Sequence, residues 1–107
     1  NNMARKNYSG SDLGQDFKDF FWREKSRLTK IFKEKGCTNI QMNYGFYYFS
    51  GFLTAPSGQI YYFSCSDTRG GYNRLLIRTA KHYEDWTGGS NQYCGVSKHE
   101  LIEFKLI

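Results

Sequence analysis

The stretch Phe46-Tyr47-Tyr48-Phe49-Ser50-Gly51-Phe52-Leu53-Thr54-Ala55-Pro56-Ser57-Gly58-Gln59-Ile60-Tyr61-Tyr62-Phe63-Ser64-Cys65 decides the fold. Two runs dense in aromatic residues flank a turn signal, because Pro presets the second turn position and Gly tolerates the last. The pattern predicts a β-hairpin. With Ala55-Pro56-Ser57-Gly58 as the loop, Thr54 faces Gln59. Counting back then pairs Phe52 with Tyr61, Ser50 with Phe63 and Tyr48 with Cys65. That face is the more apolar and is assigned to the core. The other face carries Tyr47, Phe49, Leu53 and Tyr62, with Tyr62 opposite Gly51. A bulge at Gly45 or Gly58 exchanges the two, because a slip of one residue turns every side chain over.

Upstream, Leu13, Phe17, Phe20, Phe21, Leu28, Ile31 and Phe32 recur at three and four residues, the spacing of one helical face. Asp12 and Gln15 have capping spacing and Gly36 supplies a stop, so a helix is expected over about residues 12–35. Residues 1–10 are polar and read as a mobile lead-in. Between helix and hairpin, Ile40 and Met42 alternate with polar residues as in a strand. Downstream, Leu75-Leu76-Ile77 reads as a third strand after the Gly70-Gly71 loop, and residues 81–86 as one helical turn. Ser97 and Glu100 form a capping pair, whereas Ile102, Phe104 and Leu106 alternate as a strand would. The fold class is therefore α+β, a single domain over residues 11–107. It consists of a long N-terminal amphipathic helix packed on an antiparallel sheet of three or more strands, with a short C-terminal helix or strand.

Bulk properties narrow the function. A chain of 107 residues supports one modest core. Aromatic residues make up 19% of it, so rings must supply much of the core volume and also reach the surface. No window is apolar enough to span a membrane, and the first residues lack a secretory pattern. Three dispersed cysteines, Cys37, Cys65 and Cys94, do not form a disulfide framework, which points to a cytoplasmic setting. The net charge of +5 favours polyanionic partners.

Two groups of residues are candidates for function. On the second half of the helix, Arg23, Arg27 and Lys30 share a flank, and Trp22 lies off the core stripe among Lys18, Lys25 and Lys33. That arrangement suits phosphate neutralisation with base stacking, or it is a solvated face. The second group comprises Arg69, Arg74, Arg78, Lys81 and His82 with the Gly88, Gly89 and Asn91 loop. Glycine-rich backbone beside guanidinium groups can hold an anion, although such glycines also simply mark turns. Asp67 can instead pair with Arg69 or Arg78 and order the loops. Tyr47, Tyr62 and Trp86 are further candidates for stacking or interface contact. No Walker loop, Rossmann fingerprint or paired carboxylates appear, and the cysteines and histidines lack metal-ligand spacing. Cys94 with His82 or His99 as base has the residue types of a nucleophilic pair, but an ordinary thiol is the better reading, and no cofactor is expected.

The succession Tyr61-Tyr62-Phe63-Ser64, Ser66-Asp67-Thr68-Arg69, Arg78-Thr79-Ala80-Lys81 and Tyr83-Glu84-Asp85-Trp86-Thr87-Gly88-Gly89-Ser90-Asn91 resembles small uncharacterised proteins of phages and other mobile elements. The resemblance covers about residues 44–95 and leaves the helix outside it. It carries no activity, but implies a bacterial or phage cytoplasmic setting and favours nucleic-acid handling or interference with a host protein. In element order alone, the chain resembles the double-stranded RNA-binding architecture. It departs from it in its short or absent terminal helix and in placing the residue 78–82 basic cluster after a strand. The expectation is a non-catalytic module that binds nucleic acid. The alternatives are modulation of a bacterial host protein through an aromatic sheet face, and a nucleotide or anion pocket at the Gly-Gly loops.

Overall fold

Helix α1, Gln15–Glu34, forms where the apolar spacing places it, and it buries Phe17, Phe20, Phe21, Leu28, Ile31 and Phe32. Burial of each such side chain contributes roughly 1.5–3 kcal/mol, so this stripe anchors the helix to the sheet. The computed structural model describes residues 14–45, 47–70 and 74–107. The expected contributions of Asp12, Leu13 and the lead-in lie outside the described residues. The N-cap is Gly14, which supplies no side-chain cap. At the other end the expected glycine stop is present. Gly36 sits at φ +88°, its N–H bonds the Lys33 carbonyl, and Cys37 N–H bonds the Phe32 carbonyl. Those two bonds satisfy carbonyls that a helix otherwise leaves orphaned.

Five strands follow: β1 (Thr38–Tyr44), β2 (Tyr48–Thr54), β3 (Ile60–Ser66), β4 (Arg74–Ala80) and β5 (Gln92–Gly95). They form one antiparallel sheet in sequence order. A 3-10 turn, Thr68–Gly70, lies between β3 and β4, and a short helix α2, Lys98–Glu103, closes the chain. The helices cover one face of the sheet. No helix among the described residues is long and apolar enough to cross a membrane. With five strands, the order departs from the three-strand double-stranded RNA-binding arrangement.

The hairpin is present, but its register is not the expected one. Thr54 pairs with Ile60, Leu53 with Tyr61, Gly51 with Phe63 and Phe49 with Cys65. The loop is therefore one residue longer. Gly58 N–H bonds the Ala55 carbonyl across the turn, and Ala55 N–H then bonds the Gln59 carbonyl. Gly58 holds φ +92°, the left-handed conformation of a turn closed by a bulge. On β2 the faces consequently exchange. Phe49 and Leu53 join Tyr61, Phe63, Cys65, Leu75 and Ile77 in the core, while Tyr48, Ser50, Phe52 and Thr54 turn to the other face.

Further corrections concern the connections. Residues 81–86 form turns and no helix, because Glu84 sits at φ +70° and the Asp85 side chain captures the Lys81 N–H. The four-residue β5 carries no alternation to reveal it. At the C-terminal end the helix prevails: Ser97 accepts from Glu100 N–H and donates to the Glu100 carboxylate at 2.5 Å. Of the two alternatives for this segment, the strand does not form. Lys35 Nζ instead reaches the Ile102 and Phe104 carbonyls at 3.1 and 2.7 Å, and the buried Tyr61 hydroxyl takes the Ile107 N–H at 2.8 Å.

Gly51 is required where β1 bulges between Thr38 and Gln41, since a Cβ there overlaps the Gln41 carbonyl. Gly58 has nothing within 4 Å of such an atom. Gly51→Ala is therefore expected to lose on the order of 1–3 kcal/mol in urea unfolding through overpacking. Gly58→Ala should lose only about 1 kcal/mol, from backbone strain alone. Equal losses in the two variants contradict this account.

Candidate functional site

The exchanged register builds a second surface. On the face away from α1, cross-strand neighbours form rows. Gln41, Phe52, Tyr62 and Arg78 make one; Asn43, Ser50, Ser64, Leu76 and Tyr93 make the next; Tyr48, Ser66, Arg74 and Gly95 lie in the third. None of these outward strand positions is acidic. Directly opposed side chains in adjacent strands stand about 5 Å apart, so each row is a line of contacts.

At the first row the rings gather into a cluster. Phe52 lies 5.4 Å from Tyr62 and 5.2 Å from Trp86, and Tyr62 lies 5.8 Å from Trp86, the last two pairs edge-on. Edge-to-face geometry aligns the positive ring edge with the negative ring face and fixes the rings in place. The Arg78 guanidinium sits 4.3 Å from the Tyr62 centroid, and its terminal nitrogen donates to the Trp86 carbonyl at 2.7 Å. Its Nε is buried and has no hydrogen-bond partner, and the Tyr62 π face offers the guanidinium electrostatic compensation. Trp86 remains 59% exposed. Two rows away, Arg74 lies 4.6 Å from the Tyr93 centroid, and Tyr48 and Tyr93 are both exposed.

The loop of residues 81–91 presents Trp86, and Asp85 organises that loop. The Asp85 carboxylate accepts from Lys81 N–H at 2.9 Å, from Thr87 N–H at 3.0 Å and from the Thr87 hydroxyl at 3.1 Å. The two backbone bonds are the main reason its carboxyl is held down at about 2. Tyr83 ties the loop across the sheet. Its hydroxyl donates to the Asn39 carbonyl and lies 2.8 Å from Thr54 Oγ1. On the return, Gly88 and Gly89 press against β4. A Cβ on Gly88 overlaps the Thr79 carbonyl, one on Gly89 overlaps the Thr79 hydroxyl, and Gly89 N–H bonds the Thr79 carbonyl at 2.9 Å. The glycine pair thus serves close packing. The same pair, with Gly58, Gln59, Lys81 and Thr87 among others, lines a cavity of about 680 Å³.

No family model, curated protein or solved structure matches this chain.

The candidate residues consequently divide between two sides of the domain. Tyr62, Arg74, Arg78 and Trp86 belong to the outward sheet face, with Lys81, His82, Gly88, Gly89 and Asn91 in or beside the loop at its end. Arg69 goes the other way. It pairs with Asp67 at 2.6 Å and lies 5.7 and 5.4 Å from the Phe17 and Phe20 rings, on the helix side. That arginine beside Asp67 holds its carboxyl below the usual range. Tyr47 also turns inward, 5.1 Å from Phe17, with its hydroxyl accepting from Gly14 N–H. Trp22, Arg23, Arg27 and Lys30 lie on α1, across the sheet from Arg74 and Arg78, and Arg27 pairs with Glu24 at 2.8 Å. Gly70 and the 88–89 glycines fall at opposite ends of β4, and Gly71 lies outside the described residues.

The thiols are packing groups. Burial pushes Cys65 up to about 12 and raises Cys37 and Cys94, so all three stay protonated at neutral pH. Cys94 Sγ lies against the Gly95 and Glu100 carbonyls, while His82 faces the Tyr83 carbonyl and His99 faces Ser97. No three His, Cys, Asp or Glu side chains among the described residues gather to hold a metal. Sequence reasoning missed Phe52, Tyr83, Asp85, Tyr48 and Tyr93. Phe52 requires the true register, and Tyr93 requires β5, for which the sequence offers little signal.

A carboxyl held at about 2, against an ordinary value of 3.8, contributes loop stability that is complete above the ordinary value and is lost as pH falls through about 2. With Trp22→Phe leaving Trp86 as the single tryptophan, its emission should stay constant from neutral pH down to about 5 and change between about pH 4 and 2. In an added Asp85→Asn background the loop should be loosened already at neutral pH and the acid change should vanish. An unaltered acid transition in that variant removes Asp85 from the role.

Proposed function

We propose that this chain is a non-catalytic module that binds single-stranded nucleic acid across the outward sheet face. One observation carries the reading: exposed Trp86, Tyr48 and Tyr93 share that face with Arg74 and Arg78, and no outward strand position there is acidic. Bases stack on aromatic rings whatever their identity, while cations track the phosphates. Stacking needs unpaired bases, so a single strand fits such a surface better than a duplex. The small Ser50 and Ser64 side chains form a low floor between the Trp86 cluster and Tyr48, along which a backbone can lie. The charge of +5 supports association with a polyanion in general. The resemblance to small phage and mobile-element proteins includes Tyr62, Arg78 and Trp86, and with it we assign the protein to that cytoplasmic setting.

The same Trp, Tyr and Arg composition also suits a protein hot spot, and a host protein held on this face is the second reading. Fluorescence anisotropy with oligo(dT) and oligo(U) tests the first. Affinity should fall with salt at a log–log slope of roughly −1.5 to −3, the value for two to four phosphates on a single strand. Trp86→Ala should weaken binding by about 5- to 150-fold, the range for loss of one stacked base. Arg74→Ala and Arg78→Ala should each reduce both the affinity and the salt slope. Lys30→Ala, on the far side of the domain, should leave affinity within about twofold because salt screens beyond about 8 Å. Absence of binding at low salt to single- and double-stranded probes alike rejects nucleic acid and leaves the protein partner.

A further inference from the structure

The helix presents a second surface, which no element among the described residues covers. Trp22, the pairs Lys25-Ser26 and Thr29-Lys30, and Lys33 recur at three and four residues and therefore form one strip along α1, about 17 Å long. Trp22 is 56% exposed, yet it is held: its ring lies edge-on to buried Phe21 at 5.3 Å, and Lys25 Nζ sits 4.9 Å from its centroid. These residues and Glu34 line a cavity of about 690 Å³. A second cavity, of about 560 Å³, shares Thr29 and Lys33 and continues past Gly36 to Ile40. Together they make a trough that leads to β1, whose outer edge pairs with no strand among the described residues.

We propose that this trough docks an acidic, amphipathic segment of a partner protein. Lys25, Lys30 and Lys33 place three cations along it. The single acid on its wall, Glu34, lies 4.0 Å from Lys98 and is thereby offset. Acidic side chains complement that row. The floor decides between kinds of polyanion. It consists of the Trp22 indole, the Thr29 methyl and the aliphatic stems of the lysines, surfaces that gain from covering an apolar side chain. Of these only the Trp22 indole is a ring on which a base can stack, whereas the Thr29 and lysine surfaces are covered by the apolar side chains that a protein segment brings. No arginine lines the trough, so the planar bidentate group suited to phosphate is absent from its described lining. The trough also lies on the opposite side of the sheet from Arg74, Arg78 and Trp86, so it operates independently of the nucleic-acid face. A partner docked here leaves that face open.

Selection of a random twelve-residue peptide display library on the immobilised chain tests the proposal. Enriched peptides should carry net negative charge around at least one large apolar residue. Selected peptides should shift Trp22 emission to the blue in a Trp86→Phe background, because the indole becomes covered. The combined Lys25→Gln, Lys30→Gln and Lys33→Gln variant, shown by circular dichroism to be folded, should bind them at least about tenfold more weakly, as should Trp22→Ala. Arg74→Ala with Arg78→Ala should leave them unchanged, which separates this result from that for oligonucleotides. Enrichment without acidic bias, or equal binding to the triple variant, overturns the proposal. So does an oligo(dT)-induced shift of Trp22 emission that the triple variant abolishes, which makes the trough a second nucleic-acid surface.

Discussion

The pairing of Ala55 N–H with the Gln59 carbonyl, one residue beyond the tight turn, sets the register on which the rest of the molecule depends. In a sheet whose side chains alternate, this single extra residue determines whether Phe49 and Leu53 or Tyr48 and Phe52 meet the helix. The left-handed Gly58 makes the longer loop accessible. Through the paired strands the choice propagates: Tyr62 opposes Phe52, Arg78 opposes Tyr62, and Tyr93 opposes Leu76. A different loop would bury another set of rings and expose another set of charges.

Once the register exists, the remaining polar groups act mainly to hold the long connections in place. Asp85 converts backbone donors of the β4–β5 loop into a fixed turn, and Tyr83 binds that turn to the β1 bulge. Lys35 does the corresponding work at the other end, satisfying the Ile102 and Phe104 carbonyls at the C-terminus of α2, which a helix end leaves without partners. Tyr83 and Lys35 join segments distant in sequence, whereas Asp85 acts within its own loop.

The outcome is a two-sided molecule. Basic residues are spread along the whole sequence, but the layer of helix and sheet sorts them into two surfaces of different chemistry. One is a ring-and-arginine platform on the sheet; the other is a lysine-flanked apolar trough on the helix. Arg69, which the sequence groups with Arg74 and Arg78, is drawn to neither. Its ion pair with Asp67 and its contacts with Phe17 and Phe20 make it a clasp between the β3–β4 connection and the helix. Net charge alone would have treated these three populations as one.

Several features follow from the sequence by itself because short-range physics suffices for them. The helix and its buried stripe follow from period 3.6, its end from Gly36, the hairpin from Pro56 to Gly58 between aromatic runs, and the α2 cap from Ser97 and Glu100. The α+β class follows from their order. Other features were settled only by tertiary structure. The loop length at Gly58, where the sequence leaves a bulge open as the alternative to a tight turn, is decided by a backbone hydrogen bond. β5 is too short to carry a period and exists because β4 offers it an edge. The Phe52, Tyr62, Trp86 and Arg78 cluster unites residues from three strands and a loop, and the separation of Arg69 from Arg74 and Arg78 reflects which side of the sheet each one leaves. Local pattern specifies elements, whereas a site arises from register and side, which are properties of the packed sheet.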